Sequence, residues 1–187
     1  MVQAPGIARS HRSFFSAPLW LGVLLAILLL AVGAILWLQN STTTIVLVRH
    51  ADKELVSIDD PPLSSAGSER AAGLARLFGA RDGQRIQAIY VSNTRRARET
   101  ARPLADALAI EPTIYDAAAS KELVGRILRE HRGELVLVVG HSNTVPQMVE
   151  QLAGGTTVTP IRDDDYSNLY IVTLPRFRRA SVLHLIY

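Results

Sequence analysis

Two apolar runs constrain the fold of this chain more than any other feature. Residues 45–48 and 135–139 carry only branched aliphatic side chains, and each run is followed within two residues by a histidine. Runs of this kind predict strands that are covered on both faces, as in a parallel sheet. Arg49-His50 follows the first run, and His141 comes soon after the second. Because ligands of open parallel sheets bind beyond the carboxyl ends of the strands, both histidines are expected at a functional site.

Helical and strand-like patterns alternate around these two runs. This alternation predicts an α/β domain, a three-layer sandwich with a mostly parallel sheet. Pro103 lies inside one predicted helix and is expected to kink or break it. The last two strands are joined by a short turn and are expected to pair antiparallel. One predicted helix begins after an N-cap at Ser64, and three others cover 94–108, 121–131 and 144–152. The predicted strands cover 45–48, 86–91, 112–115, 135–139, 169–174 and 181–186.

An apolar segment precedes this domain. Residues 19–38 are long enough for a bilayer core, which takes about 20 apolar residues, and Trp20 and Trp37 lie where interfaces favour tryptophan. We expect an uncleaved signal anchor. A cleaved signal peptide is the main alternative, but its apolar part is typically about 7–15 residues long and ends in a small-x-small site. A buried helix of a soluble protein is usually shorter as well.

The charges around this segment predict its orientation. Arg9 and Arg12 precede it, and the polar stretch that follows carries no charge. The positive-inside rule therefore places the N-terminus in the cytoplasm and the α/β domain outside it, in the periplasm of a Gram-negative cell. The expected organisation is a cytoplasmic arm (1–18), a transmembrane signal anchor (19–38), a linker (39–43) and the α/β domain (44–187).

Composition excludes several classes of site and partner. The chain has no cysteine, so it has no disulfide, thiolate nucleophile or Cys-type zinc site. Its formal net charge is +3, with 20 basic and 17 acidic residues. Two of the basic residues lie in the arm, which leaves the rest nearly neutral (20 − 2 = 18 basic against 17 acidic). No basic stripe is evident, and no nucleic-acid partner is expected.

Three arginines fall in the first turns of the helix predicted over 94–108: Arg95, Arg96 and Arg98. The N-terminal end of a helix carries partial positive charge, so cations there are disfavoured by about 0.3–1 kcal/mol each. A bound anion would relieve this repulsion. A solvated basic face explains Arg95 and Arg98 well. Arg96 and Arg49 are instead expected to converge on one crevice, where guanidinium groups bind phosphate oxygens bidentately.

The two histidines are expected to have different roles at such a phosphate site. Like charge disfavours protonation, so the arginines favour a neutral His50, the form required for nucleophilic attack on phosphorus. His141 is expected to be protonated, since a bound dianion favours its charged form, and to stabilise the transferring phosphoryl group. Phosphoryl transfer needs mainly positioning and charge neutralisation. These side chains meet that need without a metal or another cofactor.

Four motifs in this order resemble those of the histidine phosphatase superfamily, which has the phosphoglycerate-mutase-like fold. The resemblance covers nearly the whole chain from Thr44 onward. It implies that His50 is the phosphorylated nucleophile, that Arg49, Arg96 and His141 complete the phosphate pocket, and that no metal is used. The motifs are Arg49-His50-Ala51, Leu63-Ser64-Ser65-Ala66-Gly67, the segment from Ser92 through Arg96, Ala97 and Glu99 to Thr100, and His141.

The chain also departs from the family pattern. Ala51-Asp52 replaces the familiar Gly-Glu after the first histidine, and the acidic motif that donates a proton to the leaving group is not recognisable. Asp116 lies at the corresponding place, after the third strand, and is the predicted general acid, with Asp52 and Glu122 as alternatives. Ser142 and Asn143, directly after the second histidine, are expected to contact substrate together with Arg49 and Arg96.

These features predict a membrane-anchored phosphomonoesterase with a phosphohistidine intermediate. The expected substrate is a phosphorylated small molecule, sugar or protein. The connection between strands three and four is short, which favours simple hydrolysis over a mutase cycle. Two alternatives stay open: a catalytically weak or inactive relative that binds a phosphorylated ligand or a partner, and a phosphatase specific for phosphoproteins or for lipopolysaccharide-core sugars.

Overall fold

The computed structural model describes residues 19–39, 42–79, 85–155, 157–176 and 178–187. The chain divides into two units between residues 38 and 39. Helix α1 (Leu19–Gln39), which lies in the first unit except for its last residue, contains the stretch Trp20–Trp37. This stretch is long and apolar enough to cross a membrane, and none of its residues is buried. A membrane anchor and a signal sequence both have this composition. The predicted cytoplasmic arm, with Arg9 and Arg12, lies outside the described residues.

The second unit is built around one six-stranded sheet with the order β3-β2-β4-β1-β5-β6 among the described residues. The four strands from β3 to β1 are parallel to one another, as the uninterrupted apolar runs predicted. Strand β5 pairs antiparallel with β1, and β6 pairs antiparallel with β5. The strands are β1 (Thr42–Arg49), β2 (Ile86–Ser92), β3 (Thr113–Tyr115), β4 (Leu135–Gly140), β5 (Asn168–Pro175) and β6 (Ser181–Ile186).

Helices cover both faces of this sheet. Side chains of successive residues in a strand point to opposite faces. In β1, Ile45 and Leu47 accordingly join one core cluster, which includes side chains of α4 and α5, whereas Val46 and Val48 join a second, which includes those of α2 and α3. The predicted three-layer α/β sandwich is confirmed. The helices are α2 (Ser65–Phe78), α3 (Arg95–Leu108), α4 (Ser120–Glu130) and α5 (Thr144–Leu152).

Helix α3 continues through Pro103, so of the two expected outcomes, a kink or a break, the break does not occur. Proline removes one backbone hydrogen bond from a helix and clashes with the preceding turn. Here the apolar face of α3 is buried on both sides of the proline, with Ala97, Ala101, Leu104 and Leu108 in the core. Burial of this face is favourable along the full length of the helix, and it outweighs the local cost of the proline.

Close packing holds the start of α2 against the chain that follows β1. Ser64 is the N-cap, and its hydroxyl accepts a hydrogen bond from Gly67 N at 3.1 Å, as the sequence predicted. Ser64 N in turn donates to Asp52 O at 2.9 Å. A Cβ atom on Gly67 would collide with the same backbone oxygen of Asp52. Glycine is therefore required at position 67 by space.

Substitution of Gly67 by alanine should lower the free energy of unfolding by about 1–3 kcal/mol, the usual cost of overpacking. Gly73→Ala in the same helix is the matched control, because its Cβ would meet nothing closer than the Arg76 guanidinium at 3.7 Å. That control should be neutral or stabilise by about 1 kcal/mol, since alanine is the better helix former. Urea unfolding of the full-length chain in detergent, followed by circular dichroism, measures both. Equal stability of the two variants would contradict this packing.

Candidate active site

The two predicted histidines lie side by side at one edge of the sheet. Strands β1 and β4 pair in parallel with Arg49 opposite Gly140, so the next residues, His50 and His141, leave the sheet together. His50 N donates to Gly140 O at 2.9 Å, which continues the ladder by one more bond. The two imidazole rings have their centroids 5.4 Å apart and their planes inclined at 66°. The structure therefore brings both histidines into one site.

The hydrogen bonds of His50 assign its tautomer. Its Nδ1 atom lies 2.9 Å from Ala51 O, and because a carbonyl oxygen can only accept, Nδ1 must carry the proton. The Nε2 atom then has a free lone pair, which accepts a hydrogen bond from Arg96 Nε at 3.0 Å. His50 is 3% exposed. The ring is held from both sides, with its basic nitrogen towards an arginine.

Thr100 connects this histidine to α3. Ala51 N donates to Thr100 Oγ1 at 2.9 Å, and the Thr100 hydroxyl donates to Arg96 O at 2.7 Å. Thr100 is fully buried. One threonine therefore positions the carbonyl group that binds His50 Nδ1 and, through the helix backbone, the arginine that faces Nε2.

Both histidines are neutral at pH 7 in the ligand-free site. Burial, followed by the positive charges of Arg96 and Arg49, lowers the pKa of His50 to about 3, although the hydrogen bond to Ala51 O opposes the shift. Burial and the same two arginines lower the pKa of His141 to about 4. The neutral His50 agrees with the prediction. A protonated His141 requires that a bound anion first offset the two arginines.

Arg49 is fixed by the backbone of a distant segment. Its Nη1 atom donates to the carbonyl oxygens of Arg162 at 2.6 Å and Asp165 at 2.8 Å, and its Nη2 atom donates to Asp163 O at 3.0 Å. The Tyr166 ring lies against the guanidinium, 4.1 Å from ring centroid to Cζ. The Nε atom is buried and has no hydrogen-bond partner among the described residues.

An anion of the chain itself occupies the N-terminal end of α3. The Asp60 carboxylate accepts hydrogen bonds from Arg95 N at 2.8 and 3.0 Å, and it lies 3.4 Å from Arg96 Nη1. It therefore relieves the repulsion between these arginines and the positive end of the helix, which the sequence had suggested a ligand would do. Arg96 still faces His50, through its Nε atom.

One open cavity contains all the predicted phosphate-binding residues. Tyr166 also lines it and approaches the His50 ring, with 5.7 Å between the ring centroids. The hydroxyl of Ser142 donates to Asp163 Oδ1 at 3.3 Å, on the wall of the cavity. The predicted residues in the lining are Arg49, His50, Arg96, His141, Ser142 and Asn143.

The family model of the histidine phosphatase superfamily (branch 1) matches residues 45–119, the segment that contains Arg49, His50 and Arg96. Over these residues the chain matches the histidine phosphatase superfamily, as the motifs predicted. The match confirms the predicted family and the predicted enzyme class, a phosphatase. No curated protein matches the chain significantly in sequence.

Solved structures share the fold of this chain. The protein histidine phosphatase SixA, in a complex with tungstate, is 21% identical with a TM-score of 0.60, over 76% of this chain and 96% of SixA. Mycobacterial glucosyl-3-phosphoglycerate phosphatase is 14% identical with a TM-score of 0.62, over 75% of this chain and 97% of the mycobacterial one. At this level of identity the similarity confirms the phosphoglycerate-mutase-like fold.

The structure separates the three candidate general acids. Asp116 does not line the cavity, and its carboxylate accepts a hydrogen bond from Ala118 N at 2.9 Å, at the start of a short 3-10 turn. Glu122, in the first turn of α4, does not line it either. Asp52 does, and it forms an ion pair with Arg70 at 2.7 Å. The role of Asp116 therefore stays a prediction that the ligand-free geometry does not support.

Three parts of this site escaped the sequence analysis: the carbonyl groups that hold Arg49, the Tyr166 ring and the Asp60 carboxylate. Backbone carbonyls leave no trace in residue type, and those that bind Arg49 come from more than 110 positions away in the chain. Asp60 left no such signal, because it lies 35 positions before Arg95 in the chain. Within the described ranges, no cluster of three or more His, Cys, Asp or Glu side chains is arranged to hold a metal ion.

Proposed function

We propose that this histidine phosphatase hydrolyses phosphomonoesters through a phosphohistidine on His50. The observation that carries the proposal is the pair of hydrogen bonds on its ring. Donation from Nδ1 to Ala51 O leaves a lone pair on Nε2, and Arg96 lies directly in front of that atom. A neutral nitrogen nucleophile beside a guanidinium group is the arrangement that attack on a bound phosphate requires.

In the proposed first step, the phosphate dianion binds between Arg49, Arg96 and His141. Arg96 exchanges its hydrogen bond to Nε2 for hydrogen bonds to phosphate oxygens, which frees the His50 lone pair. A bond forms between Nε2 and phosphorus as the bond to the leaving oxygen breaks, and the electron pair departs with that oxygen. Because most of the work is positioning and charge neutralisation, these side chains are sufficient without a metal or another cofactor.

His141 is proposed to gain its proton only when phosphate is bound. The two arginines and burial lower its pKa to about 4 in the ligand-free site. A dianion beside the ring raises the pKa of His141 and favours the imidazolium form, which then stabilises the charge on the transferring group. In the second step, water attacks the phosphohistidine, inorganic phosphate is released and His50 becomes neutral again. Ser142 and Asn143, on the cavity wall, are proposed to contact the bound group.

The substrate class is proposed to include phosphorylated small molecules, sugars or proteins. Two structural relatives support this range: one is named a protein histidine phosphatase and the other a glucosyl-3-phosphoglycerate phosphatase. Residues 116–134, between β3 and β4, form only the short 3-10 turn Ala117–Ala119, helix α4 and a turn. This short connection favours an open cavity and hydrolysis. Nucleic acid is not proposed as a partner.

We propose that α1 is an uncleaved signal anchor and that the α/β unit lies outside the cytoplasm. The length and composition of the stretch Trp20–Trp37 support a single membrane span. The two arginines before it support a cytoplasmic N-terminus. The substrates would then be those that reach the periplasm or the cell exterior.

An alkaline phosphatase reporter, which is active only after export, tests this orientation when it is fused after Tyr187. We expect an active reporter on a chain of full mass, and an inactive one when residues 19–38 are deleted. A reporter that is inactive on the intact chain would overturn the orientation. An active reporter on a chain shortened at its N-terminus would show that the segment is cleaved.

The full-length chain in detergent with 4-nitrophenyl phosphate tests the proposed chemistry. This ester has a good leaving group, so the result does not depend on the general acid. We expect turnover that persists with a chelator and falls by roughly a thousandfold or more in His50→Ala, as is typical for loss of a nucleophile. His184→Ala is the control, since this histidine lies in β6 and does not line the cavity.

Quenching in alkali, which preserves phosphohistidine, should recover a phosphorylated chain from wild type and His184→Ala but not from His50→Ala. Equal activity in His50→Ala and wild type would contradict the proposed function. Stable binding of phosphate without turnover would support the alternative of a non-catalytic binding relative.

A further inference from the structure

The backbone of His141 is hydrogen-bonded at both of its polar groups. Its N–H donates to Thr144 Oγ1 at 3.0 Å, and its carbonyl oxygen accepts from Val145 N at 3.0 Å, so both partners lie in the first turn of α5. The His141 ring forms no hydrogen bond with the described residues, whereas the ring of His50 is held at both nitrogens. The position of the His141 imidazole therefore depends on its backbone.

The hydroxyl of Thr144 serves this histidine rather than the helix. At a helix start, a capping side chain usually accepts from a backbone N–H of the helix itself. Asn143, the residue before α5, makes no such side-chain bond. The Thr144 hydroxyl accepts from a residue three positions before it, and Thr144 is 5% exposed. A buried hydroxyl is thus used to hold the backbone of a proposed catalytic residue.

A buried tyrosine lies behind this threonine. Tyr115 is the last residue of β3, and its hydroxyl donates to Val139 O at 3.3 Å. Burial raises the pKa of Tyr115 to about 12, and a hydrogen bond with the Thr144 side chain opposes the rise. A Cβ atom on Gly140 would lie 2.9 Å from Thr144 Oγ1 and 3.0 Å from the Tyr115 hydroxyl. The two hydroxyls therefore pack against the end of the strand from which His141 leaves the sheet.

We propose that Thr144 is a positioning residue for His141. Its hydroxyl, in contact with that of Tyr115, fixes the backbone from which the imidazole reaches the transferring phosphoryl group. This inference rests on the proposed function and adds the residue that places the second histidine. A ring that is misplaced by about 1 Å meets the developing charge poorly and can cost up to about a hundredfold in rate. Thr100 has the equivalent place beside His50, where it accepts a backbone N–H of the next residue.

Thr144→Val tests this role, because valine has nearly the same shape but cannot accept the hydrogen bond. With the full-length chain in detergent and 4-nitrophenyl phosphate, we expect kcat/KM to fall by roughly tenfold to a hundredfold, the effect of a misplaced catalytic group. Thr144→Ser keeps the hydroxyl and should restore most of the activity. In a His141→Ala background, Thr144→Val should have little further effect, because the ring that the threonine positions is absent.

Thr43→Val is the matched control. Thr43 is also 5% exposed, and its Oγ1 atom also accepts a backbone N–H, that of Gly133 at 3.0 Å, near the start of β1 and outside the cavity. Both valine variants lose one buried hydrogen bond and should lower the free energy of unfolding in urea to a similar extent. Only Thr144→Val should lower kcat/KM. If that variant does not fold, Tyr115→Phe should give a smaller loss of kcat/KM that again requires His141.

Wild-type kcat/KM in Thr144→Val would overturn this inference. An equal loss in the His141→Ala background, or in Thr43→Val, would overturn it as well, since the threonine would then have a general structural role. In each of these cases, a phosphohistidine that still forms on His50 would leave the proposed function intact. If no phosphohistidine forms in wild type, the proposed function and this inference both fail.

Discussion

The site depends on the parallel pairing of β1 with β4. Their register sets Arg49 opposite Gly140, so His50 and His141 leave the sheet at the same edge and with their rings in contact range. The antiparallel strand β5 adds the third component. Because Val48 pairs with Leu169, the residues before β5 lie beside the residues after β1. Their carbonyl groups can therefore reach Arg49, and a change in either register would disperse the site.

The charges of the site are arranged around a neutral imidazole. The Ala51 carbonyl oxygen accepts a hydrogen bond from Nδ1 of His50, and Arg96 faces Nε2, so protonation of Nε2 is opposed by both burial and like charge. Arg49 is buried with backbone carbonyl oxygens as its hydrogen-bond partners, and the negative charges of Asp163 and Asp165 partly offset the effect of burial on its pKa. A phosphate dianion is the ligand proposed for this arrangement.

Much of the fold followed from local pattern. The helix over 144–152 and the strand over 181–186 have the predicted bounds, and the two buried runs are the centre of the sheet. Apolar periodicity is a property of neighbouring residues, so it can be recognised along the chain. The continuity of α3 through Pro103 could not be recognised in this way, because it depends on the core that the helix covers.

The site was predicted less completely than the fold. Its histidines and arginines have distinctive positions at strand and helix ends, and six predicted residues line one cavity. The contacts that hold these side chains in place are long-range or come from backbone atoms. They are the carbonyl groups that bind Arg49, the Tyr166 ring against its guanidinium, and the Asp60 carboxylate at the start of α3. The neutral state of His141 follows from burial, which no motif records.

The proposed chemistry requires that His50 presents an unprotonated Nε2 atom to the cavity. Nitrogen-15 NMR of the full-length chain with labelled histidine tests it directly, with His50→Gln to assign the signal. We expect a neutral ring with its proton on Nδ1 from about pH 7.5 down to about pH 5, because the pKa is lowered to about 3. Protonation with a midpoint near the ordinary value of about 6.5, or a proton on Nε2 in the neutral form, would contradict it.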